Sequence, residues 1–245
     1  MRDHWEISLI GDDWDIENLV ELLARRHLDF EISKSNRSAW VLRGGRLERL
    51  DCVEDVCAEA AILLSWLNGF LQIFDRPTKR ITFDSVDEIL IDGTRRSSLS
   101  ASSYVRARSR ASCTVFRDGV PVVDNTSSLL EKAVGQAISN PNVGRVLEIL
   151  NFEGVTWVNL YRAFEVMEHA LGGRNDVRKI IGAGKNVDRF ARTAQSTHSV
   201  GLDARHGVQK EQPPSDPMTL EEARSFILDL FRAFVDSSSQ MYGDS

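Results

Sequence analysis

Cysteine is scarce in this sequence, and its spacing argues against the usual structural uses of the residue. The chain of 245 residues contains three cysteines, which are Cys52, Cys57 and Cys113. An odd number without the paired spacing of zinc ligands favours neither a disulfide framework nor a zinc site. We therefore expect buried thiols in a reducing compartment.

Long apolar runs are also missing. No uninterrupted apolar segment reaches about 18 residues, the length from which a membrane-spanning helix is considered. The segment MRDHWEISLIGDDWD has only a short apolar stretch between acidic residues, which is not the pattern of a signal peptide. With 42% hydrophobic and 27% charged residues, the sequence predicts a cytoplasmic globular protein without a membrane partner.

Motifs of several common enzyme classes are absent as well. There is no Gly-x-Ser-x-Gly elbow, and the five histidines are dispersed without metal-ligand spacing. Residues 182–185, GAGK, resemble part of a phosphate-binding loop, but Asn186 follows where Ser or Thr is required, and a helical pattern precedes the segment. We predict a helix–helix corner there, and neither a metal nor an organic cofactor.

Charge is plentiful but unevenly distributed. The net charge is −6, yet residues 174–210 hold eight Lys or Arg against three Asp, a local balance of +5. Residues 211–245 hold seven acids against two Arg, and residues 1–24 hold seven against one. Such segregation is typical of a surface that faces a polyanion. It is equally typical of acidic and basic segments that pack on each other, and both alternatives stay open.

The first half of the chain mixes strand and helix patterns. Helical spacing predicts a helix that begins at Asp12 or Asp13, and a longer one over residues 53–71. Alternation predicts strands at residues 5–10, 28–32, 39–43, 80–83, 86–91, 102–116 and 120–123. Asp118-Gly119 is typical of a hairpin turn. We predict an α+β domain over residues 1–125, with an antiparallel sheet and two helices.

Beyond residue 125 the pattern is helical. Apolar residues at helical intervals predict helices at residues 129–139, 143–150, 157–171, 176–181 and 187–195. A last helix follows Thr219, which forms the pattern of a capping box with Glu222. We predict an all-helical domain over residues 126–245, with a loop at residues 196–207.

Two groups of basic residues are candidates for nucleic-acid contacts. Alternate positions of the predicted strand 102–116 place three arginines on one face, where they could follow a phosphate backbone. The other group lies in the basic helical segment. The candidates are Arg106, Arg108, Arg110, Arg178, Lys179, Lys185 and Arg189. A solvated strand face balanced by Asp84, Asp87 and Glu88 is the alternative for the first group, and the commoner arrangement in antiparallel sheets.

Three segments of the helical half carry a resemblance to a known family. They are VTWVNLYRAFEVMEHALGG, RFARTAQSTHSVGLDARHG and PPSDPMTLEEARSFILDLFRAF. Together they resemble the C-terminal half of a family of uncharacterised bacterial proteins, most specifically at residues 204–207 (ARHG) and 216–223 (DPMTLEEA). The resemblance implies a bacterial protein of the cytosol.

A more distant resemblance is to HEPN domains, helical modules of toxin and antiviral defence systems. Many of these are metal-independent ribonucleases that use an arginine and a histidine a few residues apart, as Arg192 and His198 stand here. The resemblance implies that His198 acts as general acid or base at a ribose 2′-OH and that Arg192 stabilises charge on the phosphate. Thr193 stands where the family usually has Asn, Asp or His. Arg205 and His206 are the alternative pair.

Two functions follow from these patterns. The first is a binding or assembly protein, nucleic-acid-directed and part of a defence or toxin-type system, which binds RNA, a partner protein or a second copy of itself. The second is a metal-independent ribonuclease with an Arg/His pair. The ribonuclease requires the pair to converge in an exposed basic cleft. If the protein only binds a partner, we expect the arginine and the histidine of the pair to lie apart or to be engaged by acidic residues.

Overall fold

The computed structural model of the protein divides into two compact units. The first comprises Met1–Leu64 and Pro77–Glu131, and the second comprises Ser65–Arg76 and Lys132–Ser245. The structure describes residues 2–24, 28–36, 38–74, 79–99, 116–117, 120–121, 126–152, 155–182, 184–204 and 214–242.

The first unit is built on a five-stranded antiparallel sheet. Its strands pair in the order β2 (Phe30–Lys34), β3 (Trp40–Gly44), β1 (Arg2–Ile10), β4 (Thr82–Leu90) and β5 (Arg95–Leu99). The unit also contains α1 (Asp13–Leu23), α2 (Gly45–Glu48), the first part of α3 (Val53–Phe74) and the pair β6 (Phe116–Arg117) and β7 (Val120–Pro121). The predicted α+β class, with an antiparallel sheet first and helices after it, is confirmed.

The two faces of the sheet differ in polarity because side chains alternate along a strand. On β1, Trp5, Ile7 and Leu9 are buried on one face, whereas His4 and Glu6 belong to the other. The buried apolar residues of the unit also include Ile16, Leu19, Ile32, Leu42, Leu47, Val56 and Val86. The core therefore forms from one face of the sheet together with the buried sides of the helices.

β4 is one strand where the sequence predicts two. Its register against β1 shifts between Ser8, which faces Ser85, and Leu9, which faces Phe83. Asp84 is thus the extra residue of a β-bulge. The bulge interrupts the alternation of side chains, and for this reason the sequence predicts two separate strands, at residues 80–83 and 86–91. β5 is not predicted at all, because its sequence RRSSL has no apolar alternation. The pairing of β6 with β7 confirms the predicted hairpin. Of the predicted strand 102–116, only Phe116 belongs to the described residues.

The thiols are more accessible than expected. Cys52 is exposed just before α3, and Cys57 is half-buried on it, so the prediction of buried thiols is wrong for both. Desolvation and the neighbouring charge of Glu54 raise the pKa of the Cys57 thiol, which makes the reactive thiolate form less accessible. Cys113 lies outside the described residues.

The second unit is helical. Its elements are the end of α3, most of α4 (Thr126–Ser139), α5 (Pro141–Asn151), α6 (Trp157–Ala170), α7 (Arg174–Ile181), α8 (Gly184–Gln195), α9 (Thr197–Val200), a 3-10 turn (Gly201–Asp203) and α10 (Leu220–Tyr242). Gly182 ends α7 in the left-handed conformation with φ 64°, and α8 begins at Gly184, so the predicted corner is present but Gly184 and Lys185 are helical. The predicted loop 196–207 is wrong up to Asp203, because the Ser196 side chain accepts the Ser199 N–H and caps α9.

α3 ends in the second unit, where it packs closely against α5. A Cβ on Gly69 would lie 1.9 Å from the carbonyl oxygen of Leu147, so only glycine permits this approach of the two backbones. Asn151 Nδ2 also donates to Ser65 Oγ at 3.1 Å. Within the described part of the chain, α3 alone is long and apolar enough to cross a membrane, and 61% of its most apolar window is buried inside the protein. Such burial is typical of a core helix.

An aromatic cluster joins α6, α8 and α10. The Phe190 ring lies 5.1 Å from Phe226, 5.3 Å from Phe164 and 6.1 Å from Tyr161, measured between ring centroids. Phe164 and Phe190 are fully buried. These contacts fix α8 between the other two helices, and they position the surface on which most of the candidate residues lie.

Candidate binding groove of the helical unit

The guanidinium of Arg189 ties the start of α10 to α8. Its Nε donates to the carbonyl oxygen of Asp216 at 2.8 Å, and its Nη2 donates to that of Pro217 at 3.2 Å. Its Nη1 lies 3.2 Å from a carboxylate oxygen of Glu222. A rigid planar fork suits these three partners, and a lysine would not replace it. This arrangement, the Arg189 clamp, packs the basic segment on the acidic one, as one of the two alternatives for the charge pattern predicts.

The N-terminus of α10 forms the predicted capping box. Thr219 Oγ1 accepts the Glu222 N–H at 3.2 Å, and the Glu222 carboxylate accepts the Thr219 N–H at 2.8 Å. The Thr219 N–H, with the guanidinium of Arg189, holds the pKa of the Glu222 carboxyl below its usual value. Glu222 is therefore an ionised and fixed part of the clamp.

Thr193 makes hydrogen bonds to both segments that the Arg189 clamp joins. Its side chain is fully buried. The Oγ1 atom donates to the carbonyl oxygen of Arg189 at 2.8 Å and accepts the N–H of Met218 at 3.1 Å. Thr193 thus joins α8 to the segment before α10.

The residues predicted for catalysis lie on consecutive helices. Arg192 is exposed on α8, and His198 is exposed on the short helix α9. Each has an interaction with its surroundings. Neither lines the groove described below, and Arg205 and His206 lie outside the described residues.

Most of the described candidates for phosphate contacts already have acidic partners. Arg178 Nη2 lies 2.6 Å from Asp188 Oδ1, and Lys179 Nζ lies 2.6 Å from Asp176 Oδ1. Arg189 is held in its clamp, and Lys185 is exposed on α8. The pairs of Arg178 and Lys179 are exposed and contribute little free energy, whereas the guanidinium of Arg189 is fixed by three partners. The other candidates, Arg106, Arg108 and Arg110, lie outside the described residues.

An open groove runs beside the clamp, between α7, α8 and α10. Its volume is 590 Å³. The half-buried Ile180 and Ile181 form one side, and the buried Met218 and Phe226 form its floor. The remaining lining residues are Asn186, Arg189, Glu221, Glu222, Ser225, Asp229 and Ala233. We call this the α7–α10 groove.

One ridge of α10 forms the long edge of the groove. Glu221, Ser225, Asp229 and Ala233 follow each other at four-residue intervals, which places them in one row on the helix surface. At about 1.5 Å per residue, the row is about 18 Å long. The groove therefore has the length of roughly three helical turns.

The lining of the groove is acidic. It includes one arginine, Arg189, against three carboxylates. The side chains of Glu221 and Asp229 are 58% and 64% exposed, and each has an arginine three residues further along α10, at 3.3 and 3.4 Å. The Asp229–Arg232 pair is exposed on both sides and contributes little free energy, whereas the side chain of Arg224 is only 13% exposed. Since Arg189 is engaged by the clamp, the exposed carboxylates of Glu221 and Asp229 are the charges that the ridge offers to a partner.

Sequence reasoning missed one charged cluster, on the polar face of the first unit's sheet. Glu6 on β1 stands directly opposite Asp87 on β4, and both are buried, with 6% and 3% of their surface exposed. Arg95 on β5 lies 2.5 Å from each carboxylate. Like charges in directly opposed positions destabilise a sheet, so Arg95 compensates the pair. The alternation along β1 predicts the face of Glu6, but no pattern predicts β5.

The described residues contain no group of three or more His, Cys, Asp or Glu side chains arranged to hold a metal ion. In the sheet cluster, the guanidinium of Arg95 already lies between the two buried carboxylates.

Comparisons with known proteins return no relatives. A scan against protein-family models matches no family, and neither the curated proteins nor the solved structures give a match. The resemblances carried by residues 155–235 thus stay predictions. The chemistry and shape of the α7–α10 groove carry the functional conclusion.

Proposed function

We propose that the protein is a non-catalytic binding protein that contacts a partner protein through the α7–α10 groove. The observation that carries the proposal is the groove itself, where half-buried Ile180 and Ile181 lie beside an acidic ridge of α10. Burying exposed isoleucine surface supplies free energy for binding, and the polar edge supplies orientation.

The fixed position of Arg189 in the clamp and the acidic lining of the groove favour a protein over a nucleic acid as the partner. Proteins that bind nucleic acid electrostatically do so with cations that neutralise phosphates and release counterions. Here Arg178, Lys179 and Arg189 already have carboxylate partners. The predicted cytoplasmic role in a bacterial defence or toxin-type system belongs to the proposal and rests on the resemblance.

The test is selection of peptides from a random displayed library, followed by affinity measurement with purified protein. Ile181→Asp should weaken the selected peptides at least about tenfold, because a buried apolar contact would be replaced by a charge. Ile138→Asp is the matched control, since Ile138 is 49% exposed on α4 and does not line the groove. The proposal would be refuted if the selected peptides bound the Ile181→Asp variant as tightly as they bind the wild type. It would also be refuted if no peptide could be selected.

A metal-independent ribonuclease is the second candidate. The observation that favours it is the exposure of both Arg192 and His198 on adjoining helices, where an RNA strand could reach them. Histidine titrates near neutral pH and suits proton transfer at a 2′-OH. RNA cleavage should be measured without added metal, at low and moderate salt, for the wild type, Arg192→Ala, His198→Ala and His206→Ala. Cleavage lost in one folded histidine variant would establish this function, and an inactive wild type would exclude it.

A further inference from the structure

We infer that the segment bound in the α7–α10 groove is a basic amphipathic helix of about three turns, whose cations face Glu221 and Asp229. The inference rests on the proposed function and names the chemistry of the partner. It follows from the length of the groove, from its apolar side and from the sign of the charge on its edge.

The length of the groove favours a helical segment as the bound part of the partner. The α10 ridge from Glu221 to Ala233 is about 18 Å long, which matches about twelve residues of α-helix. Ile180 and Ile181 lie on the opposite side and leave part of their surface exposed. A helix in a groove of this kind presents apolar side chains at i, i+3 or i+4, and i+7. If the apolar face of such a partner helix packs against the isoleucines, the neighbouring face of the same helix is directed at the α10 ridge.

The charges select a basic helix. Glu221 and Asp229 are eight residues apart on α10, which separates them by about 12 Å along the helix. Both carboxylates are more than half exposed. Two cations seven residues apart on a partner helix share one face and are about 10.5 Å apart, so they can reach both carboxylates. Lysine or arginine in those positions meets complementary charge, whereas an acidic helix meets repulsion.

Among the described helices, α8 does not supply such a segment. α8 is basic, but its apolar residues Val187, Phe190 and Ala191 are buried in the core of the unit. Its central cation, Arg189, is held in the clamp. These observations favour a different protein over a second copy as the occupant.

The first experiment compares two synthetic peptides by fluorescence anisotropy. Both carry leucines at i, i+3 and i+7, and they differ only in having two lysines or two glutamates seven residues apart. The lysine peptide should bind the wild type at least about tenfold more tightly, and less so as salt rises, because screening weakens the charge contacts.

Charge reversal on α10 sharpens this comparison. Glu221→Lys/Asp229→Lys should invert the preference, so that the glutamate peptide binds more tightly. Glu17→Lys/Asp236→Lys changes the net charge equally at exposed sites outside the groove and should leave the preference unchanged. Inversion in the first variant alone is the expected result.

Other outcomes separate the inference from the proposed function. Equal binding of the two peptides, lost in Ile181→Asp, would overturn the charge assignment and leave the groove as a contact surface. Library peptides that bind through Ile181 while neither amphipathic peptide does would overturn the helix assignment alone. A wild-type dimer that dissociates in Ile181→Asp would identify a second copy as the occupant. Failure of every peptide, library included, would overturn both.

Discussion

Replacing Thr193 with valine tests whether the hydroxyl of this residue stabilises the fold by joining α8 to the segment before α10. The two side chains have nearly the same shape, so the substitution leaves no cavity and removes only the hydroxyl. The carbonyl oxygen of Arg189 still accepts the backbone N–H of residue 193 within α8. The N–H of Met218 loses its acceptor in a buried place. We therefore expect a loss of about 1–3 kcal/mol in the free energy of unfolding, the cost of one orphaned donor.

Two measurements check this expectation. Urea unfolding followed by circular dichroism gives the change in stability, and hydrogen exchange of the Met218 amide shows whether the effect is local. Thr193→Ser keeps the hydroxyl and is the control; it should lose less stability than the valine variant and keep the Met218 amide protected. A valine variant with wild-type stability and wild-type exchange at Met218 would refute the reasoning.

The other predictions concern the packing of α3, the clamp and its pH dependence. Gly69→Ala should destabilise the second unit by about 1–3 kcal/mol or more in urea unfolding, because its Cβ would meet backbone; Gly135→Ala, in open space within α4, should stabilise it by about 0.5–1 kcal/mol. Arg189→Lys should raise the exchange rate of the amides of Asp216, Met218 and Thr219, since a lysine cannot hold the partners of the fork, and unchanged exchange would contradict the clamp. The lowered pKa of Glu222 means that its contribution to stability is present above its usual value of 4.5 and is lost as pH falls through the folded pKa. The stability gap between wild type and Glu222→Gln should therefore close in acid, and a gap constant with pH would contradict this assignment.

Local patterns are sufficient for much of the fold. The capping box predicts where α10 begins, because both of its hydrogen bonds join residues three apart. The helical half follows from apolar periodicity in the same way. β5 escapes prediction because a polar edge strand is defined by its pairing with β4, and not by its own residues. The bulge at Asp84 likewise depends on the partner strand.

The site depends more on long-range packing, and less of it could be predicted. The sequence points to the segments that meet in the clamp, since opposite charges on residues 174–210 and 211–245 suggest mutual packing. It does not show that Arg189 reaches backbone carbonyls, because those contacts require the fixed turn before α10. The groove depends on which helix surfaces stay uncovered after Phe190 packs between α6 and α10, and no local pattern contains that information.

The path of α3 has a consequence for how the helical unit is made. The glycine that lets α3 meet α5 is synthesised long before Leu147, and the sheet strands β4 and β5 are made between them. Although helices usually fold from local contacts, this unit cannot close its core until a segment from the other half of the chain returns to it. A fragment starting at residue 126 would lack that segment and leave the α5 backbone at Leu147 without its closest neighbour. Expression of the helical half alone should therefore give a poorly folded product, while the addition of residues 65–74 in trans should restore protection of the α5 amides.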